Sequence, residues 1–168
     1  MQRARRVAAP LEEVWTVASD PYRLPRWWPR TERVEAVTER GWTSVLVTER
    51  GRSVRADYTV IESTPPTLRR WSLDVEGSPF AKLLVTDEIE LRLAAADGGT
   101  DVALTQRQRP RGWARLGVVV LRRAAKRTLD DALAALDHIL TGHAQGIDGG
   151  QGTNGGVTNA GHSRADRP

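Results

Sequence analysis

Between Glu32 and Arg109 apolar side chains recur at every second position. The run is interrupted at Arg40-Gly41, Arg50-Gly51, Thr64-Pro65-Pro66, Gly77-Ser78-Pro79 and Asp97-Gly98-Gly99. A period of two sends alternate side chains to opposite faces of a strand, and short turns leave neighbouring strands antiparallel. Six strands in a meander are therefore predicted. Past Pro110 and Gly112 the period changes to that of a helix, from Trp113 to Leu140. Val118, Leu121, Ala125, Leu129, Ala132, Leu133, Leu136 and Leu140 form its apolar stripe. Its other side carries Arg122, Arg123, Lys126, Arg127, Asp130, Asp131 and Asp137, with Lys126–Asp130 and Arg127–Asp131 at the spacing of helical ion pairs. Such a helix needs an apolar partner surface. One face of the sheet is the only candidate large enough.

Ahead of the meander, residues 2–8 suit a first strand, and Pro10 suits the first turn of a helix striped by Leu11, Val14, Trp15 and Ala18. Asp20-Pro21 ends that helix and opens a second short one, closed by Pro25 and Trp27-Trp28-Pro29. Residues 1–141 are thus expected to form one α+β domain. Residues 142–168 hold eight of the fifteen glycines and almost no large apolar residue, so a disordered Gly-rich tail is predicted there.

Strand, two short helices, six-strand meander and long closing helix follow one another in an order similar to the START-like (SRPBCC) superfamily, in its polyketide cyclase/dehydrase and lipid-transport branch. The resemblance is carried by Val7-Ala8-Ala9-Pro10-Leu11-Glu12-Glu13-Val14-Trp15, Ser19-Asp20-Pro21, Trp27-Trp28-Pro29 and the C-terminal helix, over residues 1–141. It implies a helix-grip fold: a curved antiparallel sheet of about seven strands with the long helix over its concave face and a ligand cavity between them. Members of that branch include enzymes and carriers. The resemblance supplies no short catalytic motif that matches here, so no catalytic residue is carried over from it.

Composition narrows the chemistry. The chain has no cysteine, which removes disulfides, thiol catalysis and Cys-containing zinc sites. Its three histidines, His138, His143 and His162, form no H-x-H or H-E-x-x-H pattern. No metal and no cofactor are expected, and no nucleophile elbow, P-loop or dinucleotide fingerprint is present. The net charge is +4, yet only Lys82 and Lys126 among 25 basic residues are lysine. That bias reads as a GC-rich genome rather than selection for phosphate contacts, so no nucleic-acid partner is expected. The cluster Arg107, Arg109, Arg111, Arg115, Arg122, Arg123, Lys126 and Arg127 is read as a solvated face; the alternative is a module that docks an acidic partner. The longest apolar run, Gly117 to Leu121, is far too short to span a membrane, and no secretory signal is visible. A cytoplasmic setting is expected.

Strand alternation nominates the residues facing the cavity. On the Leu83–Leu93 strand, Leu83, Val85, Asp87, Ile89, Leu91 and Leu93 share a face. Trp71/Leu73/Val75, Val54/Ala56/Tyr58/Val60, Trp42/Ser44/Leu46 and Val102/Leu104/Gln106/Gln108 are the matching inward sets. With tight turns, Ser44, Tyr58, Trp71, Asp87 and Gln108 fall in one row, beside a row of Thr38, Trp42, Val60, Arg69, Ile89 and Gln106 and an apolar row that includes Leu46, Ala56, Leu73 and Val85. The candidate ligand-binding set is Trp27, Trp28, Trp42, Ser44, Tyr58, Arg69, Trp71, Asp87, Gln106 and Gln108. Trp27 and Trp28 either pack the short helices on the sheet or touch ligand, and Trp71 and Tyr58 suit core and pocket alike. An inward carboxylate must be paired, hydrated or neutralised. Asp87 is therefore either an ion-pair partner of Arg69 or an acid–base group, and it is the one candidate for catalysis. Two functions remain open: binding of a small apolar molecule (polyketide, lipid, isoprenoid or quinone), or a polyketide cyclase, aromatase or dehydratase using Tyr58, Asp87 and Arg69 to move protons and steady an enolate.

Overall fold

The structure is a computed structural model that describes residues 1–48, 50–112 and 118–147. Strand β1 (Gln2–Val7) leads into helix α1 (Leu11–Ala18), a 3₁₀ turn (Pro21–Arg23) and helix α2 (Leu24–Trp27). Six strands follow: β2 (Thr31–Glu35), β3 (Gly41–Val47), β4 (Ser53–Thr64), β5 (Leu68–Leu73), β6 (Leu84–Ala96) and β7 (Gly99–Pro110). Helix α3 (Val118–Ile147) is the last element among the described residues. The seven strands form one antiparallel sheet in the order β1-β7-β6-β5-β4-β3-β2. This is the expected α+β helix-grip arrangement.

Local chemistry sets the boundaries. Glu12 and Glu13 favour the first turn of α1, where a negative charge meets the positive end of the helix dipole. An Asp20 carboxylate oxygen accepts from the Tyr22 amide at 2.9 Å and caps the 3₁₀ turn. Trp28 turns extended before Pro29, which ends α2. Ala96 pairs with Gly99, so Asp97-Gly98 forms a two-residue hairpin in which Gly98 takes φ +76°. At Gly41 a Cβ would collide with the Tyr58 carbonyl oxygen, so only glycine lets β3 start this close to β4.

The closed core lies under residues 129–140 of α3. Leu129, Leu133, Leu136 and Leu140 are fully buried against Val7, Val14, Trp27, Leu91 and Leu104. A smaller cluster of Ala56, Leu73, Val75 and Leu84 sits at the other end of the sheet. Irregularities in β2, β4 and β6 interrupt the ladder, and such bulges bend a sheet.

Four expectations change. Strand pairing is displaced by two residues in β3–β4 and β5–β6: Tyr58 opposes Trp42 rather than Ser44, and Trp71 opposes Ile89 rather than Asp87. Tyr58 likewise opposes Leu73 rather than Trp71. A shift of two keeps every side chain on its face, which is why the inward sets survive. The bulge between Leu84 and Thr86 instead turns Leu84 inward and leaves Val85 exposed, reversing its assignment, while Leu83 lies just ahead of β6, where it is partly exposed but still borders the cavity. On α3, Asp130 pairs with Arg3 of β1 at 2.9 Å rather than with Lys126, because β1 lies directly beneath that part of the helix. Finally, α3 continues through Ile147, so the boundary drawn at 141 falls within it. Trp113, Arg115 and the tail from 148 onward lie outside the described residues, as do the side chains of Val118 and Leu121.

The grip of α3 predicts a steep cost for truncation there. Leu129→Ala should lower stability by about 2–5 kcal/mol, read as a lower urea midpoint with an unchanged slope. A loss under about 0.5 kcal/mol would mean that this stripe does not hold the sheet.

Candidate functional site

Where α3 meets the smaller cluster, the described side chains that it brings to the cavity are small. Ala124, Ala125 and Thr128 cannot fill the concavity, and a cavity of about 380 Å³ remains. Leu46, Val54, Leu73, Leu84 and Ile89 give it an apolar floor. Trp28, Pro29 and Arg30 close one side, and Phe80 and Leu83 stand on the loop that carries a second 3₁₀ turn (Pro79–Lys82).

Tyr58, Asp87, Gln106 and Gln108 bring a polar band to this space. Asp87 is only 8% exposed. It opposes Gln108 across β6 and β7, while Gln106 opposes Ile89, two residues along on the same face. Both pairings are those read from the sequence. The Gln106 amide nitrogen donates to both Asp87 carboxylate oxygens, at 2.9 and 3.1 Å, and that of Gln108 donates to Oδ2 at 3.1 Å. Burial pushes the Asp87 carboxyl above the usual carboxylate range, against the opposing pull of the Gln108 and Gln106 amides. The Tyr58 phenol is also pushed up, first by burial and then by the charge of Asp87, so it stays a hydroxyl. The amide oxygen of Gln106 is buried without a hydrogen-bond partner. The arrangement is therefore a buried carboxyl group with a raised pKa, held by two neutral donors and flanked by a phenol.

The remaining predicted residues divide differently. Trp28 lines the cavity, whereas Trp42 and Trp71 are buried behind its wall. They belong to a chain of ring contacts from Trp27 through Trp28, Trp71 and Trp42 to Tyr58, with centroids 5.3 to 6.1 Å apart. Trp27 is core. Ser44 is buried and accepts from the Trp42 indole at 3.1 Å, fixing that ring rather than facing ligand. Arg69 is not in the polar band. It opposes Ser63 and Leu91, one step further along the sheet, and its guanidinium lies 5.9 Å from the Trp42 ring centroid. Burial lowers its pKa, and Asp20 pulls it back. The expected Arg69–Asp87 pair does not form. Arg30, Phe80 and the small roof residues of α3 were not nominated. Ala125 stands in the predicted inward stripe, whereas Arg30 depends on a positive φ of 65° that the sequence does not announce. Among the described residues no three His, Cys, Asp or Glu side chains form a cluster able to hold a metal, and no helix is long and apolar enough to cross a membrane.

The family model described as polyketide cyclase/dehydrase and lipid transport matches residues 1–140. The chain belongs to that family. Its fold is similar to the di-domain ARO/CYC StfQ of the steffimycin biosynthetic pathway, with a TM-score of 0.70 at 13% identity over 86% of this chain. The chain spans about half (51%) of that protein's length. A conserved protein from Geobacillus kaustophilus superposes with a TM-score of 0.70 at 18% identity, covering 83% of this chain and 93% of its own. For a START superfamily protein from Mycobacterium smegmatis the values are 0.67 and 14%, over 85% and 97%. No curated protein matches the chain significantly in sequence. At these identities the likeness is one of fold.

Two carboxylates on opposite faces of β6 should give the protein opposite pH responses. Asp87 has a raised folded pKa, so its contribution favours the fold below the unfolded value of 3.8 and is lost as pH rises through the folded one. Glu90, on the convex face, meets Arg92 at 2.6 Å and Arg107 at 3.3 Å and is lowered, so its contribution is present above 4.5 and lost as pH falls through its folded pKa. Denaturant titrations across pH should show Asp87→Asn removing a loss of stability on raising pH from about 4, and Glu90→Gln removing a loss on lowering it. Equal slopes in both variants would contradict these environments.

Proposed function

We propose that this protein binds a small, mainly apolar molecule of the polyketide, lipid, isoprenoid or quinone type between the sheet and α3. The observation that carries the reading is an apolar cavity whose polar groups converge on one wall. Its volume falls within the roughly 300–1,000 Å³ usual for small-molecule sites. Burial of the ligand's apolar surface supplies affinity at about 25 cal/mol per Å² before association costs. Tyr58 and the amides around Asp87 orient one hydroxyl or carbonyl group. The family supports both binding and catalysis, and the fold shared with the ARO/CYC protein supports ligands of polyketide type.

Asp87 favours a second reading, a cyclase, aromatase or dehydratase. A buried carboxyl with a raised pKa can take a proton from carbon beside a carbonyl, while the Tyr58 hydroxyl donates to the enolate oxygen that forms. Arg69 has no part in that reading, since its guanidinium lies on Trp42.

A thermal-shift panel of fatty acids, isoprenoid quinones and flat polyphenols on the whole chain tests the first reading. A ligand at 100 times its dissociation constant adds about 2.7 kcal/mol, a shift of several degrees. No shift from any class would overturn it. Asp87→Asn separates the readings: a binding protein keeps its ligand with a modest change in affinity, whereas an enzyme keeps the ligand and loses turnover of a poly-carbonyl substrate.

A further inference from the structure

A second concavity, of about 520 Å³, lies beside the first. Gln106 and Gln108 line both, so the polar wall of the apolar cavity is also the wall of this cleft. Its other side is α3, through Arg122 and Lys126. These two stand at i,i+4, on the flank of the helix next to the face that presents Ala125 and Thr128 to the cavity.

The charge inventory around the cleft is uneven. Arg122 and Lys126 are exposed and make no ion pair among the described residues, although acids stand on the same helix. Asp130 is taken by Arg3 and Asp137 by Arg5, each at 2.9 Å. Arg107, which also borders the cleft, is held by Glu90 at 3.3 Å. The apolar cavity, in contrast, already contains the Asp87 carboxyl, which repels a second negative charge when ionised. An anionic end group is thus disfavoured beside Asp87 and favoured one wall further out.

We infer that the ligand is an amphiphile with an anionic end, a carboxylate or phosphate ester, whose apolar body fills the cavity and whose charge passes Gln108 to rest on Arg122 and Lys126. This rests on the binding reading above and adds to it a charged subsite and a ligand class. Neutral quinones and alcohols fill the same cavity without this contact. The cavity's own cation, Arg30, comes from the loop before β2 and serves as the control position.

The test compares dodecanoate, dodecyl phosphate and methyl dodecanoate by calorimetry on the full chain, at low and high salt. Both anions should bind about tenfold more tightly than the ester at low salt, and the preference should shrink as salt rises. Arg122→Gln with Lys126→Gln should remove the preference while leaving ester affinity and melting temperature unchanged, since neither side chain is buried. Whichever anion keeps the larger preference identifies the head group. If all three probes bind alike, or if Arg30→Gln rather than the α3 pair abolishes the preference, the subsite is overturned and the apolar cavity stands. Absence of binding by all three overturns both.

Discussion

The contact between α3 and the concave face of the sheet decides everything else in this molecule. The described side chains of the helix divide between two surfaces of the sheet. Ala124, Ala125 and Thr128 lie over the cavity, and Leu129, Leu133, Leu136 and Leu140 lie over the closed core. Protein interiors fill space to crystal-like density wherever side chains can reach. Where the four leucines face the sheet the gap is closed, and where Ala124, Ala125 and Thr128 border it a cavity remains. A single helix therefore both secures the fold and creates the vessel.

The sheet makes the complementary contribution. Bulges bend it, and a linked series of aromatic rings braces the bend from α2 across β5 and β3 to β4. Aromatic pairs of this kind contribute about 0.5–1.5 kcal/mol each beyond their buried area. Tyr58 ends the series with its hydroxyl side at the cavity, and Trp42 is fixed by Ser44. On β6 and β7 the polar band is held just as firmly, since Asp87 receives three amide contacts from two glutamines two residues apart. An aromatic series thus braces one side of the cavity, and a carboxyl held by two amides stands on the other.

Much of this was legible in the sequence because the signals are periodic. Alternation fixed the face of Asp87, Gln106, Gln108 and Tyr58, and a side chain's face does not depend on how strands pair. Register was less legible. It is set by turn length and by bulges, and neither leaves a mark as regular as alternation, so Trp71 and Arg69 were placed in the wrong rows. The bulge at Val85 reversed two apolar residues for the same reason. Arg69 shows the consequence: one row of displacement moves a cation from the polar band to the far side of Trp42. Phe80 is not legible because the Gly77-Ser78-Pro79 segment reads as a turn, whereas it opens a loop long enough to fold its own 3₁₀ turn beside the cavity.

The central claim is that the cavity between small residues of α3 and the polar band of β6 and β7 receives ligand. Amide-resolved NMR during titration with anilinonaphthalene sulfonate tests it most directly. The account predicts shifts on both walls together, at Tyr58, Leu73, Asp87 and Gln106 of the sheet and at Ala124, Ala125 and Thr128 of the helix. Leu133, Leu136 and Leu140 in the closed core should stay still. Shifts confined to the convex residues Glu62, Arg70 and Glu88, or to one wall alone, would contradict it.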